Sequence, residues 1–506
     1  MTAANAGTAS SEYRRRLPDV QKVRAFIAGG ASVRPWIEKL RGHDDADYLL
    51  YQKLAYYLPA VPRALDAYAG MVMTPEPMVS DAPDAFQPYL DDLTNDGEPM
   101  QRVAFRVVEE VTATARYCLL VDYANDPEAP QLSRLEAERR GLRPFVRPYR
   151  WEDILDWRIE TINGKRTLSH LRLMEYVDEA DPANEWETKV RKYVRVLDLY
   201  SEGDGPKRYR VRMYKETTSN TRGEFAPGAT IEPGMEMLGE PFFPRMNGAE
   251  MDFIPAILFG PNSLDPAILE RPPLIEMVEI SQSHLNDSAL RQWALMWCGQ
   301  PVPVITGLID NDDTTEIRLG SSQGLVLGEN GSFSLVALPS DGVGAIKDSM
   351  EEKRRDMAAI GARILADESG AQISTETARI QRAGEHSVLA GIANTVADGM
   401  TQILRWVAEW GGISGAEDVA VTLNTDFLPR GLEQGELAEW LGQVQSGALP
   451  LSVAIEHLKS RGVIDPQATE QEWRDGVDEG LIDRPEPRPV APPAIPDAEI
   501  DDAEAQ

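Results

Sequence analysis

The chain is short of cysteine, of positive charge and of long apolar runs, and each shortage removes a class of protein. Only Cys118 and Cys298 occur in 506 residues. That excludes a disulfide framework and any paired-cysteine zinc motif, and it fits a protein made in a reducing cytosol. No run of about 18 apolar residues occurs, so no transmembrane helix is expected. Met1 to Ser11 is small and polar, without the apolar core of a signal peptide. Lys and Arg number 51 against 82 Asp and Glu, a net charge of −31. Tight, non-specific binding to nucleic acid needs a positive surface that releases counterions, so this balance argues against it. It leaves open a surface past which nucleic acid slides without sticking.

Catalytic patterns are equally scarce. His43, His170, His284, His386 and His457 stand singly, with no HExxH and no cysteine at ligand spacing. There is no GxxxxGK[ST], and Gly342-Val343-Gly344 lacks the third glycine of a dinucleotide loop. Gly320-Ser321-Ser322-Gln323-Gly324 satisfies GxSxG. A nucleophile elbow needs a strand before the serine and a helix after it. Here a β-rich run follows, so the stretch reads as a Gly/Ser loop, with a hydrolase using Ser322 as the alternative reading. The pair Glu351-Glu352 falls on a solvent-facing helix surface. The expectation is a non-enzymatic chain with no catalytic residue, no cofactor and no metal.

The length allows roughly two to four domains. At 26% charged residues, most of the chain reads as globular. Helices are expected over Tyr13–Ala28, Ala46–Tyr57, from Pro62 onward and over Pro99–Arg116, followed by a buried strand from Tyr117 to Val121. The aromatics Phe145, Tyr149, Trp151 and Trp157 read as core. Thr167 to Phe253 reads as short strands separated by turns such as Asn163-Gly164 and Gly203-Asp204-Gly205. Pro272-Pro273 opens a helix to Trp297, and Val302–Thr306 reads as a strand. Asn330-Gly331 between Gly324–Leu327 and Phe333–Val336 signals a hairpin, and Ala345–Ala366 is a further helix.

The centre of the reading is Asp367 to Gly412. A polar loop leads into Leu389, Ile392, Ala393, Val396, Met400, Ile403, Leu404, Val407 and Trp410, whose steps of three and four share one helix face. Ser374 or Thr375 caps the start, Glu376 suits the first turn, and Gly411-Gly412 ends it. Unbroken, this helix is roughly 50–55 Å long. By itself that describes a long core helix of any multidomain protein. A strand at Val419–Leu423, a helical pair at Gln434–Gln445 and Leu451–Arg461, and a Pro-rich acidic tail follow.

Helix, β insert, helix, polar loop, very long helix, strand, helical pair: this order resembles the portal (head–tail connector) proteins of tailed bacteriophages. The local matches are Arg271-Pro272-Pro273-Leu274 with the helix through His284, Asn286 and Ser288; Thr375-Glu376-Thr377-Ala378 with Ala383-Gly384-Glu385-His386-Ser387; and Asn424-Thr425-Asp426-Phe427. Weaker echoes are Val121-Asp122-Tyr123 and Ile154-Leu155-Asp156-Trp157-Arg158.

The resemblance implies an α+β, portal-type subunit: a wing over 1–271, a stem helix in 272–306, a small β clip at 307–344 and a second stem helix at 345–366. A tunnel loop at 367–374 would follow, then a long wing helix and strand at 375–428, a helical crown at 429–483 and a flexible tail at 484–506. It implies a homo-oligomeric ring of about twelve subunits at one capsid vertex of a virion, assembled in the host cytoplasm, with head-to-tail contacts that close. Its partners would be the terminase packaging motor, a head–tail adaptor, major capsid and scaffolding proteins, and double-stranded DNA held weakly in the channel; no membrane is involved. Another capsid or tail scaffold protein sharing only the helix pattern is the remaining alternative.

On this reading Asp367, Glu368, Ser369, Gly370, Ala371, Gln372, Ile373 and Ser374 face DNA. Glu329, Asn330 and Gly331 lie on the clip's docking surface. Arg363, Arg379 and Arg382 offer local phosphate contacts, though ion pairs with Asp367, Glu368, Glu376 or Glu385 serve those arginines equally well. Small residues at Ala358, Ala359, Gly361 and Ala362 suit close helix packing.

Overall fold

Nine apolar side chains on one face of a helix must be covered, and covering them arranges most of the fold. The computed structural model describes residues 5–123, 140–162, 164–181, 184–203, 205–217, 220–221, 234–299, 302–306, 331–336, 341–360, 375–425 and 427. The chain divides into two units, Met1–Phe427 and Leu428–Gln506. All described residues belong to the first, so the expected helical pair and acidic tail lie outside them.

The fold is mixed α+β. In chain order the first half holds α1 (Ser11–Ala28), α2 (Asp45–Leu54), α3 (Ala60–Val72), β1 (Met78–Ser80), α4 (Gln87–Asp91), α5 (Met100–Thr114), β2 (Tyr117–Tyr123) and β3 (Pro144–Arg150). A strand-rich stretch follows: β4 (Ile154–Ile162), β5 (Lys165–Asp181), β6 (Asn184–Tyr200), β7 (Arg208–Glu216), β8 (Asn220–Thr221), β9 (Met235–Phe242), β10 (Arg245–Met246), β11 (Ala249–Glu250) and β12 (Ala256–Phe259). Then come α6 (Ile275–Gly299), β13 (Val302–Thr306), β14 (Ser332–Val336), α7 (Asp341–Ile360), α8 (Thr375–Trp410) and β15 (Ala420–Thr422).

The expected long helix is present as α8, 36 residues from Thr375 to Trp410. All nine stripe residues are buried, against α3, α5, β2, β3, β12 and β15, in one core cluster that the inner face of the large sheet also joins. Burial of each Val, Leu, Ile or Met of the stripe is worth about 1.5–3 kcal/mol, so the stripe anchors the core. Gly411 N–H closes on Val407 O, and Gly412 takes a positive φ of 65° that favours glycine, as the sequence anticipated. After the helix, β15 pairs with β1 and ties the chain back to its first quarter.

Two glycines on α8 have no room for a side chain. A Cβ at Gly391 would stand 2.8 Å from Asn262 Oδ1, and one at Gly399 would stand 2.2 Å from the Phe259 ring. Phe259 belongs to β12, the edge of an antiparallel sheet ordered β12-β2-β3. The helix and sheet therefore approach as closely as backbones allow.

The second sheet runs β4-β5-β6-β7-β9, with β8 also on β6. Here the expected short strands prove longer: β5 and β6 are each 17 residues. Charged residues break the apolar alternation in their outer halves, yet those charges pair across strands. Arg191 and Lys215 both meet Glu179, at 2.7 and 2.8 Å. The two sheets are joined by Arg195, which reaches Asp122 on β2 at 2.9 Å and Glu175 on β5 at 2.7 Å. Phe145, Tyr149 and Trp151 are buried and Trp157 packs on the core, as expected of them.

Boundaries shift where proline chemistry decides. The helix expected from Pro272 begins at Ile275, because two consecutive prolines lack N–H donors and hold their predecessors extended. The helix expected to Tyr57 stops at Leu54, with Ala55 extended ahead of Pro59.

Replacing Gly399 with alanine tests the close approach. Alanine favours an exposed helix by about 1 kcal/mol over glycine, but here its Cβ collides with a buried ring. Gly399→Ala is expected to destabilise by about 1–3 kcal/mol in urea unfolding; a gain in stability would show that Phe259 is free to move.

Candidate functional site

The helix–ribbon–helix unit from α6 to α7 is one part of the described chain whose apolar surface its own core leaves uncovered, as it does Trp186 and Leu238 of the large sheet. The first half of α6 is well seated. Ile275, Met277, Val278, Ser281, His284, Leu285, Ser288 and Ala289 are buried, against a second core cluster that includes Val23, Phe26, Ile37, Tyr51, Val61 and Leu65. Polar pins fix its register. Gln282 Nε2 donates to Trp36 O at 2.8 Å, Glu38 N–H to Asn286 Oδ1 at 3.2 Å, and Tyr56 N–H to Ser288 Oγ at 2.7 Å. Asn286 and Ser288 thus accept from backbone donors in the loops on either side of α2. Burial holds the His284 pKa below its ordinary value, with Asp287 opposing, so the ring is neutral at neutral pH.

Beyond Ala289, α6 runs out of this cover. Trp293 still contacts His43 and Tyr51, at centroid distances of 4.7 and 6.0 Å. Leu290, Leu295 and Trp297 are exposed, Trp297 by 40%. Here α7 returns antiparallel to α6. Its start faces the end of α6 across a cleft of about 530 Å³ lined by Trp293, Trp297, Gly342, Val343 and Ile346. Midway, Asp287 Oδ2 accepts from Ser349 Oγ at 2.9 Å and Lys353 Nζ at 2.5 Å. Met357, 1% exposed, closes the far end against the second cluster. The opposite face of α7 carries Glu351, Glu352, Arg354 and Arg355 into solvent.

Between the helices, β13 and β14 form an antiparallel ribbon with Val302 opposite Val336 and Thr306 opposite Ser332. The strand Val302–Thr306, grouped with the first stem helix on sequence grounds, is therefore hydrogen-bonded to the far end of the insert. Period-two geometry puts Phe333 and Leu335 on one face, Val304 and Val336 on the other. All four are exposed, Leu335 by 58%. A two-stranded ribbon bare on both faces is marginal in water.

The structure brings together few of the sequence-selected site residues. Gly331 leads into β14, and Arg379 and Arg382 lie three apart on the backbone of α8, so both belong to one side of the helix. Their side chains, together with Arg363, Asp367 to Ser374, Glu329 and Asn330, lie outside the described residues. The same holds for Ser322 and its glycines, and for the Gly324–Leu327 half of the expected hairpin. Among the described residues no group of three or more His, Cys, Asp or Glu is arranged to hold a metal. No described helix is long and apolar enough to cross a membrane. Cys118 is buried, which pushes its thiol up to about 12 and leaves it unreactive.

Sequence reasoning missed the Trp293–Trp297 cleft and the bare ribbon. The available signal was the apolar content at both parities of Val302-Pro303-Val304-Ile305-Thr306, which no single buried face explains.

Asp287 links the two helices by charge-assisted hydrogen bonds, with both partners less than a quarter exposed. Asp287→Ala is expected to cost about 1.5–3 kcal/mol in denaturant unfolding. Lys353→Met should cost less, since Ser349 still satisfies the carboxylate. Equal costs would show that the hydroxyl adds nothing.

Residues 273–411 match a protein family described as "Domain of unknown function (DUF4055)", a span that takes in α6, the ribbon, α7 and α8. No curated protein matches the chain. Among solved structures, the chain is similar to one from the neck of an empty gene transfer agent (GTA) particle computed with C6 symmetry. The TM-score is 0.35 at 10% identity, covering 87% of this chain and 98% of that one. A second, from the neck of a native GTA particle computed with C12 symmetry, gives 0.35 at 9%, covering 79% and 89%. A third, from the virion of a native GTA particle, gives 0.31 at 11%, covering 90% and 98%. Similarities this distant carry no functional argument.

Proposed function

We propose that this chain is the portal subunit of a tailed-phage-type particle. It closes into a ring at one capsid vertex, gives double-stranded DNA a conduit during packaging and ejection, and offers docking surfaces to the terminase motor and a head–tail adaptor. It is assembled in the host cytoplasm with scaffolding and major capsid proteins, resides in the virion, and performs no chemistry of its own.

One observation carries the reading: the unit from α6 to α7 is rooted in the core at one end and leaves its apolar surface bare at the other. A ribbon with Val304 and Val336 on one face and Phe333 and Leu335 on the other needs cover on both sides. Copies arranged around an axis supply it, because each copy meets one neighbour on either side through head-to-tail contacts that close when the rotation fits. Stable contacts of this kind bury on the order of 1,200–2,000 Å² per pair, and aromatic anchors such as Trp297 are typical of their centres.

The remaining assignments follow the ring. α6 and α7 form the stem, the insert between them with Glu329, Asn330 and Gly331 forms the clip, and Asp367–Ser374 is the loop facing DNA. That loop joins α7 to α8 in sequence, and α8 is anchored by its buried stripe. Arg363, Arg379 and Arg382 provide the few phosphate contacts of an otherwise acidic channel. Acidic walls repel phosphate within about 10 Å, the screening length at 0.1 M salt, so DNA passes without being trapped.

Native mass spectrometry with electron-microscope class averages tests the ring directly. A closed assembly of about twelve copies with an axial hole is expected; a chain that stays monomeric at high concentration, with and without scaffold protein, overturns the proposal. Leu335→Glu on the bare ribbon is expected to weaken the ring while leaving the unfolding of the monomer within about 0.5 kcal/mol of wild type.

Duplex DNA should bind only at micromolar strength or weaker at about 150 mM salt, with a shallow salt slope. Nanomolar affinity under those conditions would contradict an acidic, non-sticking channel.

A further inference from the structure

Acid outnumbers base over the whole chain, yet Lys207 to Lys215 holds five cations and no acid in nine residues. Alternation along β7 sends Tyr209 and Val211 into the core and sets Arg208, Arg210 and Arg212 on the opposite, outer face of the large sheet. The register places more cations beside them. Arg210 lies opposite Asp198 on β6, Asp198 opposite His170 on β5, and His170 opposite Arg158 on β4. In the next row of the same face Arg212 lies opposite Val196, Val196 opposite Arg172, and Arg172 opposite Asp156. Neighbouring strands stand about 4.8 Å apart, so the two rows cross four strands over about 14 Å.

Carboxylates are too few on this strip. Asp198 alone serves Arg210 and Arg212, at 2.8 and 2.6 Å. Asp156 alone serves Arg172 at 3.0 Å and Arg158 at 3.4 Å, with His170 at 3.8 Å. Burial holds the His170 pKa below its ordinary value, so the ring adds no charge at neutral pH. Four guanidiniums against two carboxylates leave a surplus of positive charge, with the Arg158 side chain 67% exposed at its edge. Arg208, beyond the two rows, is answered by Glu250 at 3.3 Å.

Aromatic rings hold the strip in place. The guanidinium of Arg210 lies 4.0 Å from the centre of the Tyr200 ring, and that of Arg212 lies 5.9 Å from the centre of the Tyr214 ring. A guanidinium already fixed by a ring and a carboxylate loses little further freedom when it meets a second anion.

We propose that this strip is the positive half of a head-to-tail contact between copies of this chain, seated against the acidic surface of the neighbouring copy. The inference rests on the ring reading above. Each copy carries a net charge of −31, so copies repel at long range, and a contact between them gains from a face of opposite sign. Acid to meet it is on the surface: Asp81, Asp84, Asp91 and Asp96, around α4, are exposed, and among the described residues no cation is paired with them. A two-fold contact centred on the strip would set like charges against each other. Opposite signs on different faces of one chain call for a heterologous contact, the kind that closes into rings.

Assembly of the full-length protein, followed by native mass spectrometry and sedimentation at 50 and 500 mM salt, tests the contact. Salt screens charge pairs and strengthens apolar contacts, so the sign of the salt effect separates this strip from the bare ribbon. The concentration for half-assembly is expected to rise on the order of tenfold between the two salts, and by a similar factor in Arg158→Glu at 50 mM salt. Arg158→Lys should assemble as wild type does. A chain that forms no ring under any of these conditions overturns the ring reading and this contact together. A ring that forms equally well in Arg158→Glu, or better at high salt, overturns this contact alone. So does a strip that binds a 30-base-pair duplex in wild type and not in Arg158→Glu while assembly is unchanged, which would assign it to nucleic acid. Should Arg158→Glu not fold, Arg158→Gln and the wild-type salt dependence decide the matter.

Discussion

Burial of one helix stripe sets the geometry of nearly everything described. Because α8 must cover Leu389 through Trp410, it draws α5, the β12-β2-β3 sheet and the inner face of the large sheet around itself. The close approach at Gly391 and Gly399 then fixes the segment that leads out of β12. That segment is held from below by Arg116, whose buried guanidinium donates to Pro266 O at 3.2 Å and Ile268 O at 2.7 Å and lies 4.4 Å from the centre of the Trp157 ring. Burial brings the pKa of Arg116 down to about 10, so it is still a cation at neutral pH. Only Nη2 of this buried cation finds acceptors, while Nε and Nη1 have no hydrogen-bond partner, so its hold on the segment leading to α6 rests on those two carbonyls and the Trp157 ring. The core thus aims α6 as well as supporting it.

What the core does not do is finish that unit. Hydrophobic burial favours the first half of α6 and stops at Ala289, after which the chain has spent no further structure on cover. The Trp293–Trp297 cleft, the bare ribbon and the charged outer face of α7 follow one another along a single projection. A monomer with that projection is incomplete in its packing. The proposed ring would supply that cover from neighbouring copies, without any additional sequence.

The sequence revealed α8 almost to the residue, because a helix stripe is a local pattern and two glycines end it. Tyr117–Val121 and Val302–Thr306 were legible for the same reason, as short apolar runs bounded by breakers. The partner of Ser332–Val336 was not. Asn330-Gly331 points to a nearby strand, whereas the described partner, Val302–Thr306, lies on the far side of the insert; such pairing depends on how a loop closes, which no local period encodes. The full length of β5 and β6 was hidden in the same way, since the charges that interrupt their alternation become favourable only once Glu179 meets Arg191 and Lys215 across the sheet. The loop and arginine positions chosen for DNA contact lie largely outside the described residues, so they remain expectations of the resemblance.

The distribution of charge bears on what the surface can do. Much of the arginine in the described chain is occupied internally: Arg24 with Glu110 and Glu152, Arg143 with Asp92, Arg195 with Asp122 and Glu175, Arg210 and Arg212 with Asp198. These cations are half-buried or better and serve the joints between helices and sheets. Over the whole chain 82 acidic side chains still stand against 51 basic ones. In the proposed conduit, positive charge paired inside each subunit would be kept from a passing polyanion, which would leave phosphate few cations to hold it.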